Sequence, residues 1–229
     1  MGQSTEKIKF VTKDGVTIVG DHYAPLYKSE KGVLLLHMMP AVRGSFAQFA
    51  EKLAAEGYHA LAIDLRGHGE STKRVKEGVE TILDYKMFTD VDHQKSIEDV
   101  RTAIMWLHEK GINRVALVGA SIGANLALEA LQDDHSLQGA ILLSAGYNYR
   151  GLETLSFAKA VTFGQGVYYV ASHDDGSAAE MSEGLFAATD KTRSKKIKLF
   201  ESAGHGTTIF ENNPLFVDEC IAWLKEILK

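Results

Sequence analysis

A serine flanked by two glycines follows an apolar run and precedes a segment with helical character. In the stretch LVGASIGANLALE, residues 117–129, Ser121 lies between Gly119 and Gly123. In a Gly-x-Ser-x-Gly pattern, a sharp strand-to-helix turn strains the serine backbone and presents its hydroxyl above a sheet edge. Side chains at 119 and 123 would collide with the neighbouring strand and helix, so glycine meets a steric need. The pattern predicts that Ser121 is a nucleophile.

Two other interpretations of this stretch compete with that one. Small residues are common where a strand passes into a helix, and packing alone could account for them. A nucleotide-binding loop is excluded, because the residues spell neither G-x-G-x-x-G nor G-x-x-x-x-G-K-[ST]. The order strand, turn and helix favours the nucleophile, since the N-terminus of the following helix would lie beneath a developing oxyanion.

A serine hydroxyl is a weak nucleophile at neutral pH and needs a histidine base. His205 lies in ESAGHGTT, directly after the last predicted strand and between Gly204 and Gly206. This is the place along the chain where such a base is expected. Most of the other histidines precede Ser121 and are interpreted as structural, and His37 is expected to pack and hydrogen-bond beneath the site.

The histidine in turn needs an acid that holds its tautomer and stabilises its charge. Two adjacent aspartates follow the predicted strand GVYYVAS, in the loop SHDDGSA. Only one of them can face the histidine, and Asp175 is preferred over Asp174 because it occupies the deeper loop position. Glu201 is a more distant alternative. The order Ser121, Asp175, His205 allows one strand and one helix between consecutive members.

The elements that must position these residues alternate along the chain. Two β-branched runs joined by KDG predict an antiparallel hairpin at the start. From GVLLLHM onward, apolar strands alternate with amphipathic helices. The pattern predicts an α/β fold with a central, mostly parallel, eight-stranded sheet, helices on both faces and a single domain over residues 1–229. Function in such sheets gathers at the carboxyl ends of the strands.

Composition restricts the possible partners. With 45% hydrophobic residues, 24% charged residues and a net charge of −5, the chain is typical of a globular protein without a basic face for nucleic acid. No apolar run predicts a membrane span or an export signal, so a cytoplasmic location is expected. The single cysteine, Cys220, excludes an internal disulfide and a cysteine-rich metal site. No cofactor or metal is expected, and a monomer and a homodimer are both compatible with the sequence.

Taken together, these residues resemble the α/β-hydrolase family along nearly the whole chain. The resemblance rests on GASIG, HALAIDLRGHGES, ASHDDGSA and SAGHG, and is strongest to small, lidless, dienelactone-hydrolase-like esterases. It implies an oxyanion hole made of two backbone N–H groups, those of Met39 and Ile122 by position. In this family the loop after the third strand usually begins His-Gly, whereas here it reads HMMP, with Met38 in place of the glycine. Asp64, Arg66 and His68 are expected to fix a loop near the site.

The resemblance implies a serine hydrolase that cleaves carboxylic esters of short acyl groups through an acyl-enzyme, with a small-molecule ester as its partner. Residues 147–166 have room for about one helix, so no large cap is expected and the pocket should be open. Two alternatives remain: a ligand-binding or signalling protein of this fold with slow or no turnover, and a thioesterase or acyltransferase. Several apolar side chains are candidates either for the pocket wall or for the core: Met38, Met39, Phe46, Tyr147, Tyr149, Phe157 and Phe163.

Overall fold

A ten-stranded sheet with helices on both faces forms the centre of the protein. The computed structural model describes residues 4–192 and 194–229. The strands are β1 (Ser4–Val11), β2 (Val16–Ala24), β3 (Lys31–Leu36), β4 (His59–Ile63), β5 (Lys73–Lys76), β6 (Val79–Ile82), β7 (Arg114–Ala120), β8 (Gly139–Leu143), β9 (Asn148–Tyr149), β10 (Leu152–Glu153), β11 (Gly166–Ser172) and β12 (Ser194–Phe200). The helices are α1 (Ala47–Ala55), α2 (Asp90–Gln94), α3 (Ile97–Glu109), α4 (Ile122–Asp133), α5 (Thr154–Ala160), α6 (Ala178–Ala188), α7 (Thr208–Asn212) and α8 (Phe216–Ile227).

The order of strands in the sheet is β12-β11-β8-β7-β3-β4-β2-β5-β6, with β1 paired to β2. The six strands β12, β11, β8, β7, β3 and β4, which are consecutive neighbours in the sheet, pair in the parallel sense. All pairings that involve β1, β2, β5 or β6 are antiparallel. All eight predicted strands are present, and the predicted fold class is confirmed. The carboxyl ends of β3, β7, β8, β11 and β12 therefore meet at one edge of the sheet.

Two further strands extend the sheet beyond the predicted eight. The hairpin of β5 and β6 joins the sheet through β2 and turns at Glu77 and Gly78, whose φ angles of 53° and 78° suit a two-residue hairpin turn. Its residues are almost entirely solvent-exposed. Because neither face is buried, the sequence shows no apolar alternation here, and the hairpin was not predicted.

Side chains of the central strands divide the core into two layers. In β3, Leu34 and Leu36 pack on the side of α3 and α4, whereas Val33 and Leu35 pack on the side of α1 and α8. All four are fully buried, and each buried side chain contributes about 1.5–3 kcal/mol of transfer free energy. This two-sided burial explains why the strands read as continuous apolar runs.

The connection after β8 contains only the short β9–β10 hairpin and α5. No large cap covers the sheet edge in the part of the chain that the structure describes, as predicted. None of the described helices has the length and apolar character needed to cross a membrane.

Two neighbouring histidines stay neutral on β2 and β4. The Nε2 atom of His22 and the Nδ1 atom of His59 are 2.9 Å apart, so one ring donates a hydrogen bond to the other. Burial, with His59 and Lys110 nearby, lowers the pKa of His22 to about 4. The folded protein therefore leaves His22 unprotonated at a pH where the unfolded chain, with an ordinary histidine pKa near 6.5, takes up a proton.

The free energy of unfolding should therefore depend on pH through His22. The contribution of its neutral form is complete above about pH 6.5 and is lost as the pH falls towards 4. We expect His22→Gln to reduce the loss of stability between pH 7 and pH 5 by about 1–2 kcal/mol, measured by urea unfolding. His135→Gln, at an exposed histidine, is the control. Identical pH dependence in wild type and His22→Gln would contradict this assignment.

Candidate active site

Ser121 forms the turn between β7 and α4. Its φ and ψ angles of 52° and −117° are strained for a residue with a side chain. Hydrogen bonds hold the turn: the Ser121 N–H donates to the carbonyl of Leu143 (2.8 Å), and its carbonyl accepts from the N–H groups of Ala124 (2.9 Å) and Asn125 (3.1 Å). The serine thus stands at the carboxyl edge of the sheet, at the start of a helix.

The glycines on either side of Ser121 allow close backbone contacts. A Cβ atom at Gly119 would lie 2.1 Å from the carbonyl oxygen of Gly123, and one at Gly123 would lie 2.2 Å from that of Leu36. Both distances are far below any contact that a real Cβ atom makes. The steric need predicted from the sequence is therefore present, and it fixes the first turn of α4 against the end of β3.

His205 and Asp175 are paired across two neighbouring loops. The Nδ1 atom of His205 lies 2.8 and 2.9 Å from the two carboxylate oxygens of Asp175. The histidine side chain is 42% exposed and the aspartate 16%, so the carboxylate is shielded while the ring remains accessible. Because Nδ1 faces the carboxylate, Nε2 is the ring nitrogen left to exchange a proton with a ligand.

A cleft of about 310 Å³ brings the three predicted residues together. Ser121, Asp175 and His205 all line it, at the carboxyl ends of β7, β11 and β12. The Ser121 hydroxyl makes no hydrogen bond to another described residue and is half-buried in the cleft wall. This arrangement could carry out nucleophilic attack assisted by a general base, although the catalytic role of each residue stays a prediction.

Two backbone N–H groups are available beside the serine. Met39 lines the cleft in the loop after β3, and Ile122 is the first residue of α4. Neither N–H donates a hydrogen bond within residues 4–192 and 194–229. The N-terminus of a helix favours negative charge, so these groups suit an oxyanion, and their role also stays a prediction. Met38, the residue in place of the family's glycine, packs against the His205 loop, where a Cβ atom at Gly206 would lie 2.5 Å from its sulfur.

His37 supports the loop that carries Met39. Its Nδ1–H donates to the carbonyl of Met38 at 2.9 Å, and its Nε2 accepts from the N–H of Leu65 at 3.0 Å. Burial, together with the nearby His68, lowers the pKa of His37 to about 4. His37 is therefore a neutral, fully bonded histidine beneath the site, as the sequence analysis expected.

Asp174 fixes the loop that carries His205. Its carboxylate accepts hydrogen bonds from the hydroxyl groups of Ser172 and Ser202 and from the N–H groups of Ala203 (3.2 Å) and Gly204 (3.1 Å). These donors hold the pKa of Asp174 well below its usual range. The two aspartates thus have different partners: Asp175 contacts the histidine, and Asp174 contacts the backbone beside it.

Ser144 is a second anchor that the sequence analysis missed. It follows β8, lines the cleft, and accepts the N–H of Gly206 on its hydroxyl oxygen at 3.0 Å. Thr208 closes the other side of the loop by donating its hydroxyl to the carbonyl of His205 at 2.8 Å. The only signal for Ser144 in the sequence is its place at the end of an apolar strand. Glu201, the remaining candidate acid, is exposed and makes no hydrogen bond to His205.

Charged residues of the DLRGHGES segment hold loops in place, as expected. The buried carboxylate of Asp64 accepts hydrogen bonds from the N–H groups of Arg43 (2.8 Å) and Glu70 (2.9 Å), and it pairs with the Arg43 guanidinium. Arg66 pairs with Asp99 at 2.8 Å and with Asp14 at 2.8 Å. Arg43 lies a few residues after Met39, so this network also positions that loop. Arg43 was not predicted from the sequence.

The candidate wall residues separate into cleft and core. Met39 and Tyr149 line the cleft. Phe46 is instead fully buried in the core, and Phe163 is 65% exposed. Met181, which was not predicted, lines the cleft from α6. The remaining candidates are partly buried side chains packed against the core: Met38, Tyr147 and Phe157.

Metal-ligating side chains are not gathered around the cleft. In the described ranges, no group of three or more His, Cys, Asp or Glu residues is placed to hold a metal ion. Cys220 is buried in α8, and burial raises the pKa of its thiol.

A serine on a strained strand-to-helix turn, beside a paired histidine and aspartate at the carboxyl edge of a mostly parallel sheet, defines a hydrolase of the α/β class. Residues 27–171 match the family model Hydrolase_4, described as serine aminopeptidase, S33. Because this match spans more than half of the chain, the protein belongs to that family. No curated protein matches the sequence.

Solved structures of the same fold include several esterases. The esterase Pf2001 from Pyrococcus furiosus superposes with a TM-score of 0.81 at 18% identity, over 99% of this chain and 94% of its own. A carboxyl esterase from Bacillus coagulans gives a TM-score of 0.76 at 12% identity, over 100% of both chains. A proposed dienelactone hydrolase from Klebsiella pneumoniae gives 0.74 at 15% identity, over 98% of this chain and 99% of its own. At these identities the likeness establishes the α/β-hydrolase fold.

The contact between Gly123 and Leu36 predicts that a single methyl group disrupts the turn. A Cβ atom at 123 would lie 2.2 Å from backbone, which cannot move aside cheaply. We expect Gly123→Ala to lower the free energy of unfolding by about 3 kcal/mol or more. Gly164→Ala, where a Cβ atom would meet nothing within 4 Å, should change it by less than about 0.5 kcal/mol. Urea unfolding of both variants makes the comparison, and equal stabilities would refute the steric argument.

Proposed function

We propose that this hydrolase is a carboxylesterase-type serine enzyme that cleaves esters of short acyl groups. The observation that carries the proposal is the shared cleft, which is lined by Ser121 and by the hydrogen-bonded pair of His205 and Asp175. A hydroxyl on a strained turn, a base and an orienting carboxylate are the three parts that acyl transfer to serine requires.

The proposed reaction has two steps. His205 accepts the proton of Ser121 as Oγ attacks the ester carbonyl carbon, and the N–H groups of Met39 and Ile122 stabilise the charge on the carbonyl oxygen. The C–O bond to the alcohol breaks, and the alcohol leaves with the proton from His205. In the second step His205 removes a proton from water, which attacks the acyl carbon. Ser121 leaves with that proton and the carboxylic acid is released.

The size of the cleft supports short acyl groups. Its volume of about 310 Å³ is at the lower end for small-molecule sites. The connection after β8 forms only a two-strand hairpin and one short helix, so no apolar tunnel for a long chain is built there. Short esters need no such tunnel.

An ester fits the cleft better than the peptide that the family description suggests. An aminopeptidase must bind the positive α-ammonium group of its substrate, for which a free carboxylate is the usual partner. Asp175 is the only carboxylate among the described residues that line the cleft, and it is occupied by His205. Esters lack the ammonium group and do not require that partner.

Further proposals concern the setting of the enzyme and rest on composition. The partner is a small-molecule ester rather than nucleic acid or a membrane, and residues 1–229 act as one domain in a monomer or homodimer. We also propose a cytoplasmic location.

Turnover of chromogenic esters tests the proposal directly. We expect wild type to hydrolyse p-nitrophenyl acetate and butyrate, and Ser121→Ala to lower kcat/KM at least about 1,000-fold. A phosphonate probe should label wild type at Ser121, whereas an aminoacyl p-nitroanilide should be a poor substrate. Absence of turnover and of labelling would overturn the esterase and favour a ligand-binding protein. Faster turnover of acyl thioesters would indicate a thioesterase, and transfer to added alcohol an acyltransferase.

The two adjacent aspartates should differ in their effect on that activity. Asp175→Asn removes the charge beside His205 and should lower kcat by about 1,000- to 10,000-fold. Asp174→Asn alters only the support of the loop and should cost about 10- to 100-fold through misplacement of the ring. Steady-state kinetics of both variants on p-nitrophenyl butyrate give the comparison, with circular dichroism as a check of folding. A larger loss in Asp174→Asn than in Asp175→Asn would reverse the assignment.

A further inference from the structure

Asn125 is a buried polar residue directly beside the proposed nucleophile. It is the fourth residue of α4, and its backbone N–H donates to the carbonyl of Ser121 at 3.1 Å. Its side chain is completely buried, yet Asn125 lines the same cleft as Ser121 and His205. Residues 122–128 of α4 are apolar apart from this amide, so the buried amide calls for a partner.

The orientation of the Asn125 amide follows from its one hydrogen bond. Its Oδ1 atom accepts the N–H of Gly146, the loop residue after β8, at 3.1 Å. The Nδ2 group must therefore point away from that N–H, because both groups are donors. Nδ2 makes no hydrogen bond to any described residue. Buried donors are almost always paired in native proteins, so a ligand oxygen in the cleft is the natural acceptor.

The charges around the cleft restrict the kind of oxygen to which Nδ2 could donate a hydrogen bond. No lysine or arginine lines the cleft in the described part of the chain, and the one carboxyl group among its described lining residues, that of Asp175, is paired with His205. A substrate carboxylate would lose its hydration without gaining a cationic partner. A neutral oxygen, such as that of an ether, a hydroxyl or a ketone, loses far less hydration free energy on entering the cleft.

We propose that Asn125 is a specificity-determining residue whose Nδ2 group donates a hydrogen bond to a neutral oxygen on the acyl chain of the ester. This rests on the esterase proposed above. Ser121 and Asn125 line the same cleft of about 310 Å³. We infer that an acyl group on the Ser121 hydroxyl, extended along this cleft, brings the third or fourth atom of its chain, counted from the carbonyl carbon, within reach of Nδ2. The substrate class is therefore a short acyl ester that carries an oxygen at one of these positions.

Three p-nitrophenyl esters of nearly equal shape test this proposal. Pentanoate is the all-carbon reference, ethoxyacetate has oxygen at the third position, and 3-methoxypropanoate has it at the fourth. Dividing each kcat/KM by the rate of hydroxide-catalysed hydrolysis removes intrinsic reactivity. We expect wild type to prefer at least one oxygen ester over pentanoate by about 10-fold, the value of one neutral hydrogen bond. A monoester of glutaric acid, which carries a carboxylate, should be no better than pentanoate.

Two variants remove the donor in different ways. Asn125→Leu removes the whole amide, whereas Asn125→Asp retains an oxygen for the Gly146 N–H and replaces the Nδ2 donor with a carboxylate oxygen, which also adds a negative charge. Both should abolish the preference for the oxygen ester. Met181→Leu alters the same cleft wall and leaves the Asn125 amide in the protein, so it should retain the preference. If Asn125→Leu does not fold, Asn125→Asp and the wild-type preference still decide the question.

The possible outcomes separate this inference from the proposed function. If wild type cleaves pentanoate without any preference for the oxygen esters, the esterase stands and the role of Asn125 is refuted. An equal fall of all three esters in both variants would show that Asn125 only supports the structure. Preference for the glutarate monoester would refute the proposal that the oxygen bound by Asn125 is neutral. If no ester is cleaved at all, the proposed function fails and the role of Asn125 fails with it.

Discussion

The contact between the first turn of α4 and the carboxyl end of β3 governs the rest of the site. At this point backbone lies against backbone, with no space for a side chain at Gly119 or Gly123. The contact sets where the helix begins, and so where its unpaired N–H groups point. It also sets the strained turn at Ser121 and, one turn later, the position of Asn125. A looser junction would change all of these together.

Polar residues at the ends of neighbouring strands complete the edge around this junction. The side chains of Ser144 after β8 and of Asp174 after β11 accept N–H groups from the loop after β12. On the opposite side, His37 and Arg43 fix the loop after β3. Each loop is therefore held in part by hydrogen bonds to another segment of the chain, in addition to those within the loop itself.

Local patterns in the sequence were enough to predict the eight main strands and the elements around Ser121. Burial on both faces gives a strand a continuous apolar run, and the turn at Ser121 requires glycine at a fixed spacing. The β5–β6 hairpin could not be predicted in this way, since its exposed residues show no apolar alternation. The anchoring roles of Asp174 and Ser144 and the unpaired amide of Asn125 depend on contacts between residues distant in the chain. A single sequence does not encode such contacts in any local pattern.

Adjacency of Asp174 and Asp175 in the chain has a mechanical consequence. The Asp174 carboxylate accepts hydrogen bonds from the backbone N–H groups of residues 203–204, and the Asp175 carboxylate binds the ring of His205. The imidazole and its carboxylate are therefore tied to the same pair of loops, whereas Ser121 lies on a separate turn at the start of α4. These contacts fix the distance between His205 and Asp175, and they leave the distance from this pair to Ser121 free to adjust to a bound ligand.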